Sequence, residues 1–155
     1  MNTKKNKLCS IILQDAEGIS IPYISWKNSF NIGISVIDDQ HKKLVEIINE
    51  LYEAQRLGTS QSIFNDVLIK MEDYTKYHFD MEEEMQDANK YPEIMQHKIE
   101  HHEFIDKLTL LKRDSKKDNL LLSLKTIDYL KDWTINHILG SDKDFGDYLR
   151  NFEGT

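Results

Sequence analysis

Two pairs of metal-ligating side chains stand at helical spacing in this sequence: His78 with Glu82, and His97 with His101. Residues four apart on a helix lie one above the other, so each pair can address one shared object. Both pairs sit on apolar seams, where an uncompensated polar group is costly to bury. A metal ion would satisfy such inward-facing groups. His41 and His137 stand on two further apolar seams, so five of the six histidines occupy seam positions. Five buried imidazoles without a common partner would leave many ring nitrogens unsatisfied. The sixth, His102, is rotated about 100° around the helix from His101. It is expected to face a neighbouring helix or solvent, and no function is assigned to it.

Two carboxylates belong with the histidines. Glu82 is one turn beyond His78, whereas Glu83 and Glu84 rotate off the seam and are expected in solvent. Asp142 follows His137 by five residues, a spacing that a continuous α-helix would turn roughly 140° away. The Gly140-Ser141 pair supplies a break that would swing it back. On geometry alone, Asp142 as the N-cap of a terminal helix is an equally good reading. Five imidazoles and two carboxylates exceed the roughly four ligands that zinc takes. They suit two ions bridged by the carboxylates, and the donor set matches iron or manganese better than copper(I). An odd number of histidines around two ions leaves room for an open position.

The elements that position these residues are legible as helices. A first helix is expected to begin near Ser35 to Asp38, a capping-box pattern. Its seam reads Ile37, His41, Leu44, Ile48, Leu51, and it stops at Gly58. The second runs from about Ser62 to Asp87 on Phe64, Val67, Met71, Tyr74, His78, Met81 and Met85. Pro92 suits the first turn of a third, with Ile94, His97, His101, Phe104, Leu108 and Leu111 on its seam. A charged stretch, Lys112 to Asp118, makes the next turn. The fourth spans about Asn119 to Leu139, with Ile127, Leu130, Thr134 and His137 inward; Gly140 is expected to break it before a short helix from Ser141 to Asn151. Four such helices with short turns predict an all-α, antiparallel up-down-up-down four-helix bundle. Residues 1–34, with Gly18, Pro22 and Gly33 and no helical period, predict an extended N-terminal arm anchored by Trp26 and Phe30. Residues 35–155 form the bundle, and the whole is one domain.

Composition bounds the function. A chain of 155 residues with 39% apolar and 30% charged residues suits a single soluble core. A net charge of −7 offers no basic face for displacing counterions from a phosphate backbone, which argues against nucleic-acid binding. One cysteine, Cys9, excludes an internal disulfide and a cysteine-based metal site. No run approaches the roughly 20 apolar residues of a membrane span, so a soluble, cytoplasmic protein is expected.

The ordered motifs resemble those of the hemerythrins, specifically single-domain bacterial hemerythrins. The matching pieces are Ile37-Asp38-Asp39-Gln40-His41, His78-Phe79-Asp80-Met81-Glu82, Tyr91-Pro92 leading to His97 and His101, and Trp133 through His137-Ile138 to Asp142. The resemblance covers roughly residues 24–150. It implies a non-heme diiron centre, with His97, His101 and His137 on one iron and His41 and His78 on the other. Glu82 and Asp142 would bridge, beside a solvent-derived oxo or hydroxo bridge. Dioxygen would bind at the iron holding two histidines, reversibly, for storage, delivery or scavenging.

One position departs from the family habit: Thr134, three residues before the last histidine, stands where a large apolar residue usually walls the oxygen pocket. Its hydroxyl either bonds back to a helix carbonyl or makes the pocket wetter. Two other functions compete, a diiron oxidase or peroxidase and a sensor of oxygen, nitric oxide or redox state. Ferritin-like diiron enzymes use paired E-x-x-H motifs, and this chain contains none, which favours a carrier over an enzyme. Sensor versions are often fused to signalling domains, and no such domain fits here.

Overall fold

The computed structural model describes residues 21–59, 61–115 and 120–153. Cys9 and most of the expected arm lie outside the described residues. Four long helices follow one another: α1 (Ser35–Arg56), α2 (Gln61–Ala88), α3 (Ile94–Ser115) and α4 (Leu120–His137). A π-helical turn, Ile138–Asp142, then leads without interruption into α5 (Lys143–Glu153). Gly140 therefore does not break the chain. The helix widens there by one residue, and the Lys143 N–H donates to the Ile138 carbonyl five residues back.

Cross-helix contacts set the antiparallel register. Glu50 pairs with Lys70 toward one end of α1 and α2, and Gln40 reaches Met81 toward the other. Between α2 and α3, Glu72 pairs with Lys112 and Gln86 meets His97. Lys107 lies over the Tyr129 ring, and His101 meets His137, between α3 and α4. The seams interlock as apolar layers: Leu44, Ile48, Leu51, Leu68, Met71, Phe104, Leu108, Ile127 and Leu130 share one core. Each fully buried side chain of this kind contributes about 1.5–3 kcal/mol.

The C-terminal ends of α1 and α2 are closed by backbone turns, with Thr59 Oγ1 donating to Ala54 O and Asn89 Nδ2 to Met85 O, both at 2.8 Å. After α1, the Gly58 N–H donates to Gln55 O and the Thr59 N–H to Ala54 O, with Gly58 at φ +62°. After α2, Lys90 takes the same left-handed position at φ +52°, with Tyr91 N–H on Gln86 O and Lys90 N–H on Asp87 O. The expected capping box at Ser35 and Asp38 does not form, because Ser35 is already helical and the capping residue is Ile34. Asp38 instead reaches out of the helix and accepts the Ile32 N–H at 2.7 Å and the Gly33 N–H at 3.2 Å. A carboxylate in the first turn is favoured there by the helix dipole.

The described part of the arm is pinned by Ile24, Phe30 and Ile32, all buried. Trp26 is only half-buried and meets Phe30 edge-on at 5.4 Å, so of the two expected anchors Phe30 holds, joined by Ile24 and Ile32. The Asn49 side chain clamps the backbone of Ile24, taking its N–H at 2.8 Å and giving to its carbonyl at 2.9 Å. On the other side α5 straps the arm down. Lys143 donates to Asn31 O at 3.0 Å and Arg150 to Ile32 O at 2.5 Å. Gly146 permits this approach, since a Cβ there would stand 2.2 Å from the Ile32 carbonyl oxygen.

Candidate metal centre

Five histidines and two carboxylates from four helices and the π turn meet at one end of the core. His41, His78, Glu82, His97, His101, His137 and Asp142 are all buried. They fall into two groups of mutually close ligand atoms: Glu82, His97, His101, His137 and Asp142 in one, His41, His78 and Asp142 in the other. His102, by contrast, is exposed beside Asp106.

Within the larger group the three imidazole Nε2 atoms point at a common centre. His101 Nε2 lies 3.0 Å and His97 Nε2 3.2 Å from His137 Nε2. Ligand atoms held at roughly 2.1 Å from one first-row ion lie about 3 Å from each other, so the spacing fits a shared cation. Asp142 spans the two groups. Its Oδ1 is 3.1 Å from His97 Nε2 and 3.0 Å from His137 Nε2, while its Oδ2 is 3.0 Å from His41 Nε2. The Glu82 Oε2 lies 3.4, 3.5 and 3.8 Å from the Nε2 atoms of His101, His97 and His78.

The π turn is what delivers Asp142. Five residues make up its wider hydrogen-bonded step, so a side chain five positions after His137 returns to the same face. An α-helical reading rotates it away, which is why the sequence alone leaves its role open.

Four of the five rings, all but His41, are oriented from behind. Gln40 Oε1 accepts from His78 Nδ1 at 2.8 Å, Glu83 Oε1 from His101 Nδ1 at 2.9 Å, and Glu100 Oε2 faces His137 Nδ1 at 3.0 Å. Such contacts keep the proton on Nδ1 and leave the Nε2 lone pair facing inward. At His97 the partner is the Gln86 amide, 3.1 Å from Nδ1, and Gln86 Oε1 is buried without a partner among the described residues. Turning that amide over puts the oxygen on the Nδ1–H and satisfies both groups. Glu83 is thus half-buried and engaged, not solvated as its position off the seam suggested; Glu84 is exposed. Phe79 stacks on His101 at 3.6 Å and Trp133 on His137 at 4.4 Å, which dries the rings from the sides.

The electrostatics demand positive charge. Burial and Asp142 both push Glu82 up, yet His101 and His97 outweigh them and hold it down at about 2. Burial likewise opposes ionisation of Asp142, but His137, His41 and His97 hold it well below the ordinary carboxylate range. His78 is pushed down to about 4 by burial. Burial would lower His97 too, but Asp142 and Glu82 drive it up to about 10. Even so, both oxygens of Glu82, both of Asp142 and both nitrogens of His41 lack a hydrogen-bond partner among the described residues. Close approaches without hydrogen-bond geometry, around two buried anions, are what cations at the centre would complete. The residues therefore fit a pair of metal ions.

Comparison with known proteins agrees with this geometry. The family model described as "Hemerythrin HHE cation binding domain" matches residues 32–149. The chain is 33% identical over 126 residues to a bacteriohemerythrin of Stenotrophomonas maltophilia, covering 81% of this chain and 80% of that protein. It is 34% identical over 122 residues to myohemerythrin-1 of Phascolopsis gouldii, covering 78% and 89%. A crystal structure of wild-type hemerythrin superposes with a TM-score of 0.72 at 26% identity, over 81% of this chain and 96% of that one. With this family model spanning the bundle and all seven side chains gathered inside it, the chain belongs to the hemerythrin family.

Proposed function

We propose that this protein binds dioxygen reversibly at a pair of non-heme irons. In this reading His97, His101 and His137 hold one iron, His41 and His78 hold the other, and Asp142 and Glu82 lie between them. The observation that carries it is the Asp142 carboxylate, one oxygen facing each histidine group. When bound, the iron pair supplies the electrons that dioxygen takes up and returns.

The chain's own residues supply position and dryness. Gln40, Gln86, Glu83 and Glu100 fix four of the rings from behind. Phe79, Phe104 and Trp133 screen them from water, stacked or edge-on against one another. In this reading the open side belongs to the two-histidine group, and the buried Thr134 on α4 would wall it in place of a larger apolar residue. Replacing Thr134 with Leu should slow loss of the reduced state in air. A histidine-rich set of this kind favours a carrier over an oxidase, whose sites are richer in carboxylate. No helix among the described residues is long and apolar enough to cross a membrane, and a single cysteine suits a reducing compartment such as the cytoplasm.

The test is optical. Anaerobically reduced, iron-loaded protein should be colourless, gain a visible band on exposure to dioxygen, and lose it under vacuum. Rapid turnover to a ferric product that vacuum cannot reverse would indicate an oxidase instead.

A further inference from the structure

One buried hydroxyl beside the site has no partner. Thr75 lies on α2, one turn before His78, and is 1% exposed. A threonine within a helix ordinarily returns its hydroxyl to a carbonyl one turn back, as Thr109 does to Ile105 O at 2.9 Å. The Thr75 Oγ1 makes no hydrogen bond of that kind or any other among the described residues. Leaving a hydroxyl unpaired in an apolar interior is costly, so its retention calls for an occupant that completes it.

The register of the bundle says where that occupant sits. His41 and His78 face each other with ring centroids 4.8 Å apart, and Phe104, one turn after His101 on α3, lies 6.0 Å from the Phe79 ring. Thr134 follows Trp133, whose ring stacks on Phe104 at 4.0 Å. One turn from His101 and His137, then, α3 and α4 carry Phe104 and Thr134 in place of further histidines. One turn further from the metals come Leu44, Thr75, Leu108 and Leu130, all buried. Thr75 carries the one hydroxyl among those four side chains, and, one turn before His78, it shares the face of α2 that bears that ligand.

We propose that Thr75 Oγ1 is a hydrogen-bond donor to the small ligand held on the open side of the two-histidine group, engaging an accepting atom of dioxygen or of a small anion. The inference rests on the dioxygen-binding reading above. Thr75 is a ligand-positioning residue here, and its hydroxyl contributes nothing to the fold by itself.

Azide, titrated by visible absorption into the iron-loaded ferric protein, is the probe. Thr75→Val should weaken azide binding about tenfold, the effect of one lost hydrogen bond to a charged group. Thr75→Ser should restore it. Melting of the metal-free proteins supplies a second readout: Thr75→Val should melt at or above the wild-type temperature, because no native hydrogen bond is lost. Unaltered azide affinity in an iron-loaded Thr75→Val protein overturns this inference alone. So does a metal-free Thr75→Val protein that melts well below wild type while Thr75→Ser does not, since the hydroxyl would then be structural. A wild-type protein that takes up no iron overturns the inference together with the dioxygen reading.

Discussion

Asp142 stands five residues after His137, and its Oδ1 nevertheless lies 3.0 Å from the His137 Nε2. The two meet because the chain between them is a π turn, whose five-residue step restores the face that an α-helix would lose. Gly140, inside that turn, is neither a hinge nor a close approach: its φ is not positive, and a Cβ there would meet nothing within 4 Å. Gly140→Ala should therefore keep the full metal content and raise stability by about 0.5–1 kcal/mol through the lost flexibility of glycine. Loss of metal on this substitution, read by iron analysis, would show that a break at Gly140 is needed after all.

Glu83 holds His101 from behind at 2.9 Å, with Lys98 beside it. Losing such an outer partner typically lowers metal affinity about 10–100-fold. Glu83→Leu should show a loss of that order in a competition titration with a chelator, and Glu83→Gln, which still accepts the Nδ1–H, a smaller one. Equal affinity in Glu83→Leu and wild type would remove Glu83 from the site.

The arm and α5 meet at a point where no side chain fits. Gly146→Ala would drive a methyl into the Ile32 carbonyl oxygen, a backbone atom that cannot rotate aside. We expect a loss of about 1–3 kcal/mol in thermal or urea unfolding. Because Gly146 stands four residues after Asp142, metal content should fall as well. A variant with wild-type stability and metal content would mean that the strap is dispensable.

Much of this was legible in the sequence, and the exceptions have physical causes. The seams of α1 to α4 keep a three-and-four spacing, so the five inward histidines and Glu82 could be read directly from the period. Asp142 could not be placed that way, because a π turn shifts the period by one residue within a segment whose glycine suggests a break. Glu83 is engaged rather than solvated although it lies about 100° from Glu82 around the helix. That rotation turns it toward α3, where His101 presents its rear nitrogen. Gly146 carries no local signal at all; its role exists only because a distant carbonyl approaches it. Trp26 looked like an anchor by size, yet Ile32, fully buried, fills that place.

Glu72 links α2 to α3 and its own next turn through Lys112 and Lys76. Burial pushes its carboxyl upward, but the two lysines outweigh it and lower it from the ordinary value of 4.5. A carboxyl whose folded-state value is lowered stabilises the fold above its unfolded value, and that stabilisation is lost as pH falls through the folded value. Glu72→Gln should thus cost about 1 kcal/mol at neutral pH. In the metal-free protein the gap from wild type should close below pH 4.5. A gap independent of pH, measured by urea unfolding across that range, would assign the loss to packing rather than charge.

The central claim is that the seven buried side chains hold two cations and not one. Anaerobic titration of the metal-free protein with ferrous iron tests it most directly. Uptake should break at two irons per chain; a break at one iron per chain would rule out a paired site.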